Sequence, residues 1–313
     1  MKLLNYFFLV VFFSVHSFGD AHSFTMENDY LTGTDKHYTN GLFYTYMSDD
    51  ASIPSILDIG NASQKNVAFS ISQLMYTPED LSVAEKQLDD GPYAGYLRLD
   101  YLIFQSTSNY FHEIGFNIGA VGPISYAEES QKFVHKISGN REPEGWDNQL
   151  ENHLTAGVAY HFGIKTNKID ILDHKFDWLA NIRFDRGNFY AGNLIGTTLR
   201  FGRDLPDNFY TGGNFIGGNE SALLNFSKSS GFNWYIALGV NFNSIDKFFI
   251  TDEDEEYTVQ GVDYTVGEHL SFNLQYDNLE FSLYFKTTYL IHFDFDSDSF
   301  EKWGGIQFKW SGN

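Results

Sequence analysis

Three segments of the chain hold more polar and turn-forming residues than the ends of β-strands require. They are Glu27–Asp29 with Thr34–Gly41, then Tyr76–Pro78 with Asp89–Gly95, and finally Gly122–Gln149. A pair such as Asn28 and Asp29 is by itself typical of a turn at a strand end. Carboxylate, amide and hydroxyl oxygens are also hard donors that suit a divalent cation, and the formal charge of -21 favours such a partner.

The third segment contains the one histidine that we single out as a candidate general base. Residues from Tyr126 to Ile137 lack strand alternation and predict a short helix, with Gly139 just past its end. Gln131 and His135 are spaced i,i+4, so both side chains lie on one face of that helix. An imidazole exchanges protons near neutral pH, although a single histidine is more often a surface residue.

Strands must position these segments, because apolar residues elsewhere recur with a period of two. From Phe232 to Phe242 apolar residues occupy every even position, and the odd positions hold mostly small or polar residues. Similar alternation predicts strands near 22–30, 40–48, 66–76, 94–107, 109–121, 150–163, 176–186, 188–203, 231–243, 264–277, 279–291 and 304–311. A soluble β-sandwich also alternates, but strands this long and an aromatic content of 18% favour a membrane barrel.

The predicted fold is therefore an all-β, antiparallel transmembrane β-barrel of about twelve strands, with a short helix in an extracellular loop. If both termini lie in the periplasm, the three polar segments are the first three outward connections and share one rim. Tight turns at Thr107–Asn109 and Asp277–Leu279 then fall on the periplasmic side. The stretch 205–230 is long for a periplasmic turn, which puts the strand count in question there.

The first residues predict a secretory signal peptide. Lys2 precedes an apolar stretch from Leu3 to about Val15, and small residues follow at Ser17, Gly19 and Ala21. We therefore divide the chain into a signal peptide at 1–21, which is removed, and a single outer-membrane β-barrel domain at 22–313. The mature chain has no cysteine, which excludes disulfide staples and thiolate metal sites. The acidic balance excludes nucleic acid as a partner.

The three segments resemble, in the same order, the family of outer-membrane lipid A 3′-O-deacylases. The residues that carry the resemblance are Glu27–Asp29, Thr34–Gly41, Asp89–Gly95, Gly122–Pro123, Gln131–His135 and Gly145–Gln149. The resemblance implies a twelve-stranded barrel of the Gram-negative outer membrane, with a calcium-dependent esterase site that faces the outer leaflet. Its substrate would be lipid A in lipopolysaccharide, from which the 3′-linked acyloxyacyl group is removed.

The resemblance also implies a role for each matching residue. His135 corresponds to the general base that activates water. Asn28 and Asp29 correspond to the polar pair beside the Ca²⁺, Thr39 to the hydroxyl residue near the oxyanion, and Gln131 to a residue that orients the site. Asp29 and Glu142 are the expected metal ligands, with Glu144 as the alternative to Glu142.

One departure from the family pattern concerns recognition of phosphate. The family commonly has arginine before Pro92–Gly95, whereas this chain has Gly91. Lys36, Lys132, Lys136 or Arg141 can replace that charge, or the substrate carries fewer phosphates. Two other functions stay open from the sequence: a passive outer-membrane channel or adhesion barrel, and an outer-membrane phospholipase with the same ester chemistry.

Overall fold

The computed structural model describes residues 21–32, 37–48, 52–211, 229–252, 254, 256–258, 263–291 and 300–312. The predicted signal peptide, apart from Ala21, lies outside the described residues. So do Thr34, Asp35 and Lys36 of the first polar segment.

Twelve long antiparallel strands form a closed barrel, which confirms the predicted fold class. The short strand β7 is an addition, because it extends the hairpin between β6 and β8. The barrel closes through the pairing of β1 with β13, from Ala21 opposite Ser311 to Asn28 opposite Gly304. The strands are β1 (Ala21–Asn28), β2 (His37–Met47), β3 (Gln64–Thr77), β4 (Ala94–Ser106), β5 (Tyr110–Val121), β6 (His153–Lys165), β7 (Ile169–Ile171), β8 (His174–Gly187), β9 (Tyr190–Gly202), β10 (Phe232–Phe248), β11 (Tyr264–Tyr276), β12 (Leu279–Ile291) and β13 (Phe300–Ser311).

The period-two pattern of the sequence separates the two faces of the wall. On β10, Phe232, Leu238 and Phe242 are exposed on the outside, whereas Asn233 and Tyr235 between them are buried in the lumen. A closed sheet leaves no backbone edge unpaired, so apolar side chains on its outer face can meet lipid without a hydrogen-bonding penalty. The alternation predicted from the sequence therefore places the apolar set toward lipid.

Two tight turns lie at the end of the barrel that carries Ala21 and Ser311. Tight turns join β4 to β5, where the Thr107 amide donates to the Tyr110 carbonyl over 2.9 Å, and β11 to β12 at Asp277 and Asn278. Their position beside the two ends of the barrel chain agrees with the predicted order of strands, and the periplasmic location of this end stays a prediction. We call the opposite end, which carries the connections after β1, β3 and β5, the outer rim.

The connection after β9 is described as far as residue 211, and this part folds into the lumen; residues 212–228 of the stretch 205–230 lie outside the described residues. Leu205, Phe209 and Tyr210 are each no more than 2% exposed. The Phe209 ring packs against Phe111 with centroids 5.1 Å apart. This inward path explains why residues 205–211 are present without adding a strand, so the predicted count of twelve long strands stands.

Side chains also fill the lumen near the outer rim. Buried residues of several strands pack there into one apolar cluster that includes Tyr38, Tyr76, Tyr96, Phe248 and Trp303. Among the described residues, none of the helices has the length and apolar character needed to cross a bilayer.

The predicted helix is present between β5 and β6 as α1, Ala127–Ser138, and the prediction of Tyr126 to Ile137 differs by one residue at each end. Its end is set by Gly139, whose φ of 75° is readily adopted only by a residue without a Cβ, and whose amide donates to the His135 carbonyl. A second helix, α2, is one turn at Phe249–Asp252.

Candidate active site

Asn28, Asp29 and Thr39 lie together at the adjoining outer ends of β1 and β2. Asn28 pairs with Asn40 across the two strands, and the Asn40 side-chain amide donates to the Glu27 carbonyl over 2.8 Å. Asp29 follows directly, is 1% exposed and begins a 3-10 helix that ends at Thr32. Strand pairing therefore brings residues from two parts of the chain to one point of the outer rim.

A β-bulge turns Thr39 toward the outside of the wall. The register of β2 against β3 shifts between Tyr38 and Asn40, so the extra residue departs from strict alternation. The Thr39 hydroxyl lies 2.6 Å from the hydroxyl of Thr77. Thr77 follows Met75 on the same face of β3, and Met75 packs against α1 through Ala127. The bulge thus directs Thr39 to the side of the wall on which α1 lies.

Helix α1 is held against the outer face of β3 and β4. At Gly95 a Cβ atom would lie 2.1 Å from the Ser125 hydroxyl oxygen and 2.3 Å from the Ala127 Cβ, so only glycine permits this approach. The Gln73 side-chain amide donates to the Ser125 carbonyl over 2.6 Å. The start of the helix is therefore fixed on the wall by a close backbone approach and a hydrogen bond.

Gln131 points from α1 into a buried contact with the following loop. Its side-chain oxygen accepts a hydrogen bond from the Trp146 indole N–H over 2.7 Å, and the residue is 4% exposed. The Trp146 ring packs on Tyr93 with centroids 5.1 Å apart. Within the described part of the chain, the side-chain nitrogen of Gln131 is buried without a hydrogen-bond partner. An amide held by its oxygen therefore presents two N–H donors to any acceptor that enters beside the helix.

His135 lies one turn after Gln131 on the same face of α1 and is 9% exposed. Its Nδ1 is 2.5 Å from the Arg141 carbonyl oxygen. A carbonyl oxygen only accepts, so Nδ1 carries the proton of the neutral ring and Nε2 has the lone pair. This orientation leaves Nε2 as the atom able to take a proton from water.

Glu142 and Glu144 lie in the loop after α1, and both are exposed. Glu144 accepts a hydrogen bond from Arg141 over 2.7 Å. Across the described ranges, no three His, Cys, Asp or Glu side chains converge into a group that could hold a metal ion. A calcium ion also accepts amide, hydroxyl and backbone oxygens, and Asn28 and Thr39 beside Asp29 are donors of that kind. The residues present therefore fit calcium only as a mixed set of oxygen ligands.

The cationic candidates for a phosphate partner differ in their surroundings. Lys132 is engaged by Glu128 at 2.6 Å, a hydrogen bond that raises the lysine pKa, and Arg141 is engaged by Glu144. Lys136 is exposed and takes part in no ion pair among the described residues. Beside Gly91 lies His37, whose Nε2 is 3.3 Å from Asp90 Oδ1.

Several features of this site were not recognised from the sequence. Thr77 contacts Thr39, Trp146 anchors Gln131 and the Arg141 carbonyl orients His135, yet none of the three had been given a role. Trp146 lies in a segment that carries the family resemblance, so its large aromatic side chain could have been recognised in the sequence as a candidate site residue. A backbone carbonyl gives no such signal, because every residue has one.

The chain is similar to known proteins over nearly its whole length. The family model described as "Outer membrane protein LpxR" matches residues 5–311. Among solved structures, LpxR from Salmonella typhimurium superposes with a TM-score of 0.76 at 18% identity, over 93% of this chain and 99% of that one. The β domain of the Bordetella autotransporter BrkA gives a TM-score of 0.48 at 10% identity, over 95% of this chain and 100% of that one. No curated protein matches the chain.

Proposed function

The chain belongs to the LpxR family of outer-membrane lipid A 3′-O-deacylases, and we propose that it hydrolyses the 3′-linked acyloxyacyl ester of lipid A in a calcium-dependent reaction. The membership confirms the resemblance found in the sequence and places the barrel in the Gram-negative outer membrane. The calcium dependence and the roles of individual residues are our proposal.

The observation that carries the proposed mechanism is the orientation of His135. With Nδ1 donating to the Arg141 carbonyl, Nε2 takes a proton from a water molecule as the water oxygen attacks the ester carbonyl carbon. The tetrahedral intermediate then breaks the bond to the sugar 3′ oxygen, which receives that proton from His135. The products are a free 3′-hydroxyl and the released acyloxyacyl acid.

Gln131 contributes donors for the charge that develops on the carbonyl oxygen. Its amide nitrogen is buried and has no hydrogen-bond partner among the described residues, while its oxygen accepts from Trp146. A donor that is already oriented stabilises an oxyanion without reorganisation during the reaction. We assign the Thr39 hydroxyl a neighbouring position, because the bulge in β2 turns it toward the side of α1.

Asp29 and Glu142 would hold calcium together with the oxygens of Asn28 and Thr39. When bound, the ion would supply positive charge to polarise the ester carbonyl. Glu142 is exposed in the loop after α1, so this loop would contribute its ligand from the solvent side.

Mass spectrometry of lipid A tests the proposal. Cells that express the protein should yield lipid A lacking the 3′-linked acyloxyacyl group, and purified protein in detergent should perform the same cleavage with Ca²⁺ but not after chelation. Restoring Ca²⁺ should restore cleavage, with Mg²⁺ as the matched control. Intact lipid A in the presence of folded protein and Ca²⁺ would show the proposed function to be wrong.

A phospholipid substrate is the alternative that shares this chemistry. Phospholipid supplied to the same preparation should be cleaved far more slowly than lipid A. If phospholipid were cleaved faster than lipid A, phospholipid would be the substrate instead. The channel alternative has less support, because rings of Tyr38, Tyr96 and Phe248 fill the lumen near the outer rim.

A further inference from the structure

Helix α1 has three distinct faces. At 100° per residue, Ala127, Gln131 and His135 share the face turned to the barrel, and all three are buried. Glu128, Glu129, Lys132 and Lys136 lie on a second, charged face. The remaining sector, between the charged face and the buried face, is mostly apolar and exposed, although the small Ser130 within it is buried and donates to the Tyr126 carbonyl.

This third sector, which we call the apolar stripe, is exposed and has no function in the proposed reaction. Phe133 and Ile137 are one helical turn apart in this sector, Tyr126 directly precedes the helix, and Val134 lies at the border with the buried face. Scattered exposed apolar residues are ordinary, whereas a continuous stripe on one face needs a partner. The members with their exposed fractions are Tyr126 at 51%, Phe133 at 46%, Val134 at 50% and Ile137 at 69%.

The apolar stripe continues an apolar surface on the barrel wall. Ile124, in the turn before α1, is 48% exposed, and its amide donates to the Asn152 side chain over 2.9 Å. Two residues further along, Leu154 on β6 is 76% exposed on the outside of the wall. Ile118 and Leu99 are paired across β5 and β4, and they extend this surface toward the middle of the barrel at 61% and 49% exposure.

Leu99 on β4, Ile118 on β5 and Leu154 on β6 belong to the lipid-facing band. They are apolar, point outward and lie on adjacent strands. Acyl chains therefore reach the level of Leu154, which pairs with Ala120 only one residue before the end of β5. Asn152, which accepts from the Ile124 amide, is two residues before Leu154, and two strand residues span about 7 Å. Ile124, in the turn that leads into α1, therefore lies within about one side-chain length of that level.

We propose that α1 is an interfacial helix whose apolar stripe is immersed in the acyl chains of the outer leaflet. The occupant is lipid, rather than a protein partner, because the stripe is continuous with the lipid-facing wall. The charged face, with Glu128, Lys132 and Lys136, is then directed to the headgroups and solvent, as in amphipathic helices that lie in a membrane surface.

A consequence for catalysis follows, and it rests on the proposed function. The stripe sets the depth of α1, and α1 carries Gln131 and His135. An acyloxyacyl ester lies where sugar headgroup and acyl chains meet, which is also the depth of an interfacial helix. The substrate would then reach the site by lateral movement in the leaflet, without leaving the membrane.

Depth measurements test the proposal without reference to activity. The chain contains no cysteine, so a nitroxide can be attached to Ile137→Cys and, as a matched control on the adjacent charged face, to Lys136→Cys. In vesicles, the label at 137 should collide at least 5-fold more with oxygen, which partitions into lipid, than with a water-soluble nickel chelate. The label at 136 should show the opposite preference. Equal access of the chelate to both labels would overturn the proposal.

A second copy of the chain is the competing occupant. If the stripe were a dimer contact, labels at 137 would show dipolar broadening that disappears when labelled protein is diluted with unlabelled protein. Such broadening would overturn the assignment of the stripe to lipid. Its absence, together with lipid access at 137, supports the proposal.

The consequence for catalysis is tested with a polar replacement in the stripe. Phe133→Asn should slow cleavage of lipid A in vesicles at least 10-fold and leave cleavage of detergent-dispersed lipid A unchanged, with Glu129→Gln on the charged face as the control. Equal losses in both preparations would refute the role of the stripe in substrate access. An inactive wild-type protein with a lipid-exposed label at 137 would refute the proposed function and leave the interfacial helix standing.

Discussion

Glu27 and Asn28 are adjacent in β1, yet they face opposite sides of the wall and have different surroundings. Glu27 lies in the lumen at 0% exposure, where Lys286, Tyr38 and Tyr284 all bond to its carboxylate. Asn28 faces outward beside Thr39 and the side of the wall that carries α1. Of these two polar neighbours, Glu27 thus belongs to the hydrogen-bonded network of the lumen and Asn28 to the candidate active site on the outer face.

The comparison teaches that polar density near a strand end does not by itself mark a site. In the lumen, polar groups fill space and are matched in charge, as in Glu280 with Lys309 at 2.6 Å and Arg200 with Asp177 at 2.6 Å. On the outside, apolar residues are the rule, so a polar group there needs a partner or a function. We expect lumen variants to change stability and outer-face variants to change activity.

The largest expected effect is on activity. His135→Ala should lower the rate of lipid A cleavage by about 10²–10⁴-fold, because the general base is lost, while the melting of the barrel stays unchanged. Kinetics with detergent-dispersed lipid A and heat-modifiability on gels measure the two properties. His269→Asn is the matched control, since His269 is a lumen histidine at 4% exposure and should retain activity. Turnover by a folded His135→Ala protein would remove His135 from the mechanism.

The second prediction concerns stability in the lumen. Glu280→Ala leaves the buried Lys309 ammonium without its carboxylate and should lower the free energy of unfolding by about 3–5 kcal/mol. Urea titration in vesicles measures this loss, and the folded fraction should cleave lipid A at the wild-type rate. The double variant with Glu280→Leu and Lys309→Met should lose less stability than the single one. If folded Glu280→Ala protein lost as much activity as His135→Ala, the assignment of stability to the lumen and activity to the outer face would be wrong.

The smallest expected effect is the acid response of the loop between β3 and β4. Burial alone would raise the pKa of Asp90, but hydrogen bonds from His37 and from the Glu79 and Gly91 amides outweigh it and hold the pKa below its usual value. The contribution to stability is therefore complete above about pH 4 and is lost as the pH falls through the lowered pKa.

Hydrogen exchange at Glu79 and Gly91 measures this response, after correction for intrinsic rates. Asp90→Asn should abolish the acid-dependent step, worth about 0.2–1 kcal/mol, whereas Asp89→Asn should retain it, since Asp89 is exposed. If the Asp90→Asn protein still showed the acid-dependent step, a group other than Asp90 would be responsible for it.

Local pattern was sufficient to predict most of the fold. The alternation from Phe232 to Phe242 predicted both β10 and the face it turns to lipid, because a strand has a side-chain period of two. Helix-favouring residues before Gly139 predicted α1 to within one residue, because helix formation and its glycine cap depend on neighbours in sequence. The family resemblance was carried by short polar segments and was confirmed by a match over residues 5–311.

What the sequence determined alone was therefore the set of strands, the helix, the family and the candidate residues. The tertiary structure decided which side of the wall each polar residue faces at the outer rim, since a single bulge at Thr39 reverses strict alternation. It also decided the orientation of His135 by the Arg141 carbonyl and the inward path of residues 205–211. These features depend on contacts between distant segments, and such contacts exist only after the barrel has closed.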